Sequence, residues 1–141
     1  MPSNVKILGL LGLIPFILLA IHSIFVFDWF TPTQAKIAFV QYSAVILSFL
    51  GGIHWFQALI EPKNKHQIYV SMLPSIIGWA SLLVFNIKIT LLILSVSYLL
   101  ILLYDKFTLT LPKHIVIEYT AMRLSLTSVV VISHVLIIAF G

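Results

Sequence analysis

From Ile68 to Tyr104 the only charged side chain is Lys88. As one helix that stretch would be about 55 Å long at 1.5 Å per residue, against a hydrocarbon core of about 30 Å. It shows none of the period-two alternation that a membrane β-strand requires. A backbone placed in lipid must satisfy its own N–H and C=O groups, so the segment is helical. The interruption at Asn86-Ile87-Lys88 predicts a turn, and therefore a tight helical hairpin with spans 68–85 and 87–104.

The rest of the chain follows the same logic. Of its residues 61% are hydrophobic and 9% charged, with a mean hydropathy of +1.15. A soluble domain carries about 25% charged residues, so most of this surface meets lipid. The expectation is an all-α integral membrane protein, one transmembrane domain over 1–141, with about five spans near 5–27, 35–60, 68–85, 87–104 and 115–140. No internal repeat is visible. The N-terminal apolar run exceeds the roughly 7–15 residues of a cleavable signal, and Ile21-His22-Ser23 is a poor cleavage site, so it reads as a retained span. The net charge of +4 is too dispersed for nucleic acid. With no cysteines, disulfides, iron–sulfur clusters, thiolate zinc sites and cysteine nucleophiles are excluded. The expected partners are the bilayer and a membrane protein or second copy of the chain.

Orientation follows the lysines. Lys6, Lys63, Lys65, Lys106 and Lys113 fall on one side and Lys36 and Lys88 on the other. Positive loops stay inside, which predicts the N-terminus inside and, with five spans, the C-terminus outside. Trp29 and Phe30 then lie at the outer interface and Tyr104 and Phe107 at the inner one. The membrane expected is the bacterial cytoplasmic membrane, or the mitochondrial inner membrane in a eukaryote.

Polar groups inside a membrane are costly and face protein or water. Sorted by depth, His54 lies roughly 9 Å and Arg123 roughly 12 Å from the inner boundary. His54, Arg123, Gln57, Ser71, Ser75 and Tyr119 form the candidate inner-leaflet cluster, and Glu118 sits at the head-group boundary. At about 100° per residue, Tyr119, Arg123, Thr127 and His134 share one helix face, which must point into the bundle. On the second span, Gly51 and His54 share the inward face. Ala44, Ser48 and Gly52 have small-xxx-small spacing suited to close helix approach.

Each feature has a plain structural reading beside the functional one. Arg123 could bind an anionic group, or donate to carbonyls freed near Pro74. His54 could relay protons or ligate, or simply hydrogen-bond between helices. His22 and His134, at matching outer depth, are the one pair that could hold haem. Otherwise no cofactor, metal or catalytic residue is expected: the chain has no P-loop, GxSxG, carboxylate pair or zinc helix motif. Pro15 and Pro74 each remove a helical hydrogen bond, kinking their helices or opening a cavity.

The stretch "YSAVILSFLGGIHWFQAL", Tyr42 to Leu59, resembles a membrane family catalogued as domain of unknown function 3429, which includes the mitochondrial transmembrane protein 69. Ser48, Phe49, Leu50, Gly51, Gly52, His54 and Trp55 match its central pattern in order. "LGLLGLIPF", "SMLPSIIGWASLL" and "MRLSLT" are further echoes. The resemblance implies a small multi-span inner-membrane protein and supplies no activity. Three functions remain open. The first is a non-enzymatic protein of packing, assembly or partner binding. The second is a lipid, quinone or haem binder with an inner-leaflet cavity near His54 and Arg123. The third is a proton-coupled carrier or membrane enzyme using His54.

Overall fold

A computed structural model describes residues 3–25 and 31–141. The expected outer aromatics Trp29 and Phe30 lie outside the described residues. Among the described residues the structure is helical throughout: α1 (Ser3–Leu11), α2 (Ile14–Ile24), α3 (Pro32–Ile60), α4 (Gln67–Val70), α5 (Leu73–Leu82), α6 (Ile87–Thr108) and α7 (Lys113–Phe140). Four segments are long and apolar enough to cross a membrane: Ser3–Ile24, Pro32–Ile60, Ile87–Thr108 and Lys113–Phe140.

The two proline-bearing segments are each interrupted by a short turn whose residues Leu13 and Met72 keep right-handed helical geometry. Pro15 and Pro74 each fall in the first turn of a new helix, where a missing N–H costs nothing. At the first break the Tyr42 hydroxyl donates to the Gly12 carbonyl at 2.8 Å, replacing part of the lost ladder. The segment expected as a continuous span over 68–85 is therefore two shorter helices, α4 and α5.

That broken segment still carries the chain along the whole bundle. Lys36, near the start of α3, lines a shallow recess together with Lys88 at the start of α6 and the C-terminal Gly141. At the opposite end, His54 of α3 meets Asp105 near the end of α6. Thus α3 and α6 run parallel, and residues 61–86 must return from one end to the other. Contacts of Gly51 with Ser71 and of Gly78 with Ala44 show α5 running antiparallel to α3 as it does so. The chain makes five passes, and its described ends lie at opposite ends of the bundle, with Lys6 paired to Glu118 at 3.2 Å and Gly141 beside Lys36.

Two helix boundaries matter for the site. The start of α3 is fixed by a capping box: Gln34 N–H donates to Thr31 Oγ1 and Thr31 N–H to Gln34 Oε1, both at 3.1 Å. The end of α6 lies one turn beyond the expected Tyr104, which brings Asp105 and Thr108 into the helix. Both residues continue the buried stripe of Leu91, Leu94, Tyr98 and Ile101.

The core is aromatic. Phe16 packs edge-on against Phe39, Tyr42 and Tyr98, with ring centroids 4.9–6.4 Å apart. His134 is fully buried among Phe16, Phe39 and Tyr98.

Of the expected packing residues Ala44, Ser48, Gly51 and Gly52, the close helix approach is at Gly51 and not at Gly52. A Cβ on Gly51 would lie 2.6 Å from the Ser71 carbonyl oxygen and 3.1 Å from Pro74, so Gly51 lets α3 touch the α4–α5 break. Gly52 faces open space, with nothing within 4 Å of such an atom. Ala44 packs on Gly78 of α5, and the Ser48 hydroxyl donates back to the Ala44 carbonyl at 2.9 Å.

Candidate functional site

Sequence depth placed His54 and Arg123 together, and Asp105 is the group that joins them. Arg123 Nε donates to Asp105 Oδ2 at 2.8 Å, and His54 Nε2 donates to Asp105 Oδ1 at 2.5 Å. All three side chains are buried. In a low-dielectric bundle an unpaired arginine or carboxylate would cost several kcal/mol, of order 3–5 when one partner is lost. The pairing explains how the chain tolerates both.

The network has a direction that fixes the histidine tautomer. Gln67, the first residue of α4, directs its amide nitrogen at His54 Nδ1 (3.0 Å) and at Gln57 Oε1 (2.9 Å). An amide nitrogen only donates, so Nδ1 accepts and the ring proton sits on Nε2 facing Asp105. Gln57 Nε2 in turn donates to the Thr110 carbonyl (3.0 Å) and hydroxyl (2.7 Å), and Thr110 Oγ1 donates to Glu61 at 2.9 Å. A continuous polar path thus runs from buried Arg123 to an exposed carboxylate at the bundle end. The Tyr104 ring lies 4.8 Å from that of His54, and its hydroxyl is 2.6 Å from His66 Nδ1.

Not every expected residue joins this network. Ser71 is buried, but its hydroxyl donates locally to Ile68 at 2.7 Å. Ser75 is half-buried on α5 and takes part in none of these bonds. Glu118 stays at the surface, paired with Lys6. Asp105 and Gln67 were missed because the expected spans ended at Tyr104 and began at Ile68, one residue short of each.

Arg123 has a second face. Its Nη1 donates to Thr127 at 3.0 Å. Its Nη2 lies 2.7 Å from Asp105 Oδ2, close enough for ionic attraction, yet its N–H groups meet no acceptor in hydrogen-bonding geometry. The buried Tyr119 hydroxyl, one turn earlier on α7, lies close enough to Arg123 to interact with it but likewise meets no partner in full hydrogen-bonding geometry. Both residues line a cavity of about 510 Å³ between α1, α2, α3, α6 and α7. The rest of its wall is almost wholly apolar, and Gly9 and Gly12 make room for it on the first pass. His54 does not line the cavity, because both its nitrogens are engaged by Asp105 and Gln67. The cavity expected beside His54 and Arg123 adjoins Arg123 alone.

The outer cluster is closed. His134 Nδ1 donates to the Val130 carbonyl at 2.6 Å, so Nε2 accepts from the Ser43 hydroxyl at 2.7 Å. The Tyr98 hydroxyl donates to the Ser43 carbonyl at 2.6 Å. With both ring nitrogens committed to protein, His134 does not fit the role of an iron ligand, and no step is assigned to haem. Among the described residues no group of three or more His, Cys, Asp or Glu side chains is placed to hold a metal.

No curated protein and no solved structure matches the chain. A family match runs over residues 1–139, nearly the whole sequence. The chain therefore belongs to the family described as protein of unknown function (DUF3429).

Proposed function

We propose that this protein binds a membrane-dissolved apolar molecule in the cavity between α1, α2, α3, α6 and α7. One observation carries the reading: a cavity of about 510 Å³ with an apolar wall holds two buried donors that meet no acceptor in hydrogen-bonding geometry, the Tyr119 hydroxyl and Arg123 Nη2, the latter ion-paired with Asp105. Buried donors ordinarily have partners, and an unmet one costs about 1–3 kcal/mol. The volume falls in the range of small-molecule sites, roughly 300–1,000 Å³. Leu8 and Phe49, each 67% exposed, stand on the cavity's rim where α1 and α3 face the bilayer, so a ligand enters sideways from lipid. In this reading the N-terminus lies inside, the C-terminus outside, and the membrane is a bacterial cytoplasmic or mitochondrial inner membrane.

The test is native mass spectrometry of protein released gently from its membrane. The wild type should retain an apolar molecule that Leu126→Trp, which fills the cavity, loses. Equal retention by both proteins would show only surface lipid and would sink the reading.

A second reading, assembly with another membrane protein or a second copy, draws on Gly52. It presents bare backbone to open space between exposed Phe49 and Phe56 on α3, where a neighbouring helix can approach. Gly52→Leu should then abolish a crosslinkable complex without lowering the monomer's Tm.

A further inference from the structure

We infer that the polar end of the bound molecule is a neutral carbonyl, as in a quinone or an acylglycerol ester, and not a carboxylate or phosphate. This rests on the cavity reading above and narrows it by charge. Among the described residues, the ionic groups at the polar end of the cavity are Arg123 and its partner Asp105, 2.7–2.8 Å apart, and their charges cancel. The third member, His54, is held by Gln67 as the neutral Nε2–H tautomer. Glu118 is tied to Lys6 at the surface and is not on the cavity wall. The wall therefore offers hydrogen-bond donors without net positive charge.

That combination selects among ligands. An anionic head group brought to Arg123 Nη2 would add one uncompensated negative charge beside Asp105 in an apolar enclosure, which is strongly unfavourable. A cation would meet the guanidinium. A pure hydrocarbon would leave Nη2 and the Tyr119 hydroxyl unmet. A carbonyl oxygen has two lone pairs, no charge and no donor of its own, so one atom can accept from both groups. The lateral opening past Leu8 and Phe49 suits a molecule whose tail stays in the bilayer. Met122, whose sulfur would lie 3.3 Å from a Cβ on Gly9, lines the passage on the α7 side with a flexible side chain that adapts to ring or chain.

The experiment measures binding of four probes to the full chain in nanodiscs: decylubiquinone, dioleoylglycerol, palmitate and hexadecane. Wild type is compared with Tyr119→Phe, which keeps the ring and removes one donor, and with Leu126→Trp. Binding of decylubiquinone or dioleoylglycerol in preference to palmitate and hexadecane, weakened about three- to tenfold by Tyr119→Phe, is the result expected. Which of the two neutral probes prevails identifies a quinone or an ester as the source. Palmitate binding as tightly as either would overturn the charge argument while leaving the cavity reading intact. So would hexadecane binding equally with no effect of Tyr119→Phe. Failure of all four probes, with Leu126→Trp indistinguishable from wild type, would overturn the cavity reading itself.

Discussion

Asp105 decides how the buried polar groups coexist. It accepts from Arg123 and His54 on separate oxygens, and it is 8% exposed. Removing it should leave a buried guanidinium unpaired at a cost of about 3–5 kcal/mol, so Asp105→Leu should unfold or fail to accumulate. Removing both charges is a different matter. Asp105→Leu combined with Arg123→Met should recover part of the lost Tm, because apolar residues of similar size replace a buried pair with little loss and only the His54 Nε2–H is left without its acceptor. Thermal denaturation in detergent distinguishes the two. If the double variant is as unstable as the single, Asp105 serves some purpose other than neutralising Arg123. Gln67→Leu should cost less, about 1–3 kcal/mol, since it strands only His54 Nδ1 and Gln57 Oε1 without a donor. Arg123 and His54 were legible from depth alone, because a charge or imidazole inside an apolar run demands a partner. Asp105 was hidden by counting hydropathy and stopping where it fell. The signal lay in phase: Leu91, Leu94, Tyr98 and Ile101 recur at alternating spacings of three and four, and the next two positions are Asp105 and Thr108.

At the scale of elements, the paired glycines of α3 separate into two roles. Gly51→Ala should destabilise the fold, because its Cβ would press into the backbone carbonyl of Ser71 at 2.6 Å and neither helix can yield without losing Gly51's neighbours. Gly52→Ala meets nothing, and should stabilise the monomer by up to about 1 kcal/mol through helix propensity. Opposite shifts in Tm for adjacent glycines are the expected outcome, and shifts of the same sign would contradict the packing. Small-xxx-small spacing pointed to Gly52, since sequence gives the face of a helix but not which neighbour occupies it. The breaks at Pro15 and Pro74 were half legible. A proline says that one hydrogen bond is missing, whereas the interruption by a turn depends on partners such as Tyr42, which satisfies Gly12 from another helix. The capping box at Thr31 and Gln34 was written in the sequence as Thr-x-x-Gln, and hydropathy passed over it because it lies outside the apolar run.

The number of membrane crossings is a property of the whole molecule, and it turns on the least regular segment. Neither α4 nor α5 alone can cross: ten residues of α5 span only about 15 Å of a core of about 30 Å. With α1 and α2 taken together as Ser3–Ile24, the segments of crossing length among the described residues number four. The contacts require a fifth pass, because α3 ends beside Asp105 at one end of the bundle and α6 starts beside Lys36 at the other. The break between α4 and α5 sits against Gly51, where protein rather than lipid covers the loosened backbone, which is the condition under which irregular structure survives at membrane depth. The absence of native cysteines makes this directly measurable. Asn64→Cys and Phe85→Cys place thiols at two exposed positions flanking the segment, one before α4 and one after α5. In the proposed orientation, which puts the loop carrying Lys63 and Lys65 inside, a membrane-impermeant maleimide added to intact cells should label Phe85→Cys at once and Asn64→Cys only after permeabilisation. Labelling of both from the same side would mean that α4–α5 re-enters without crossing. The His54–Asp105 pair and the recess lined by Lys36 and Lys88 could not then lie at opposite membrane faces.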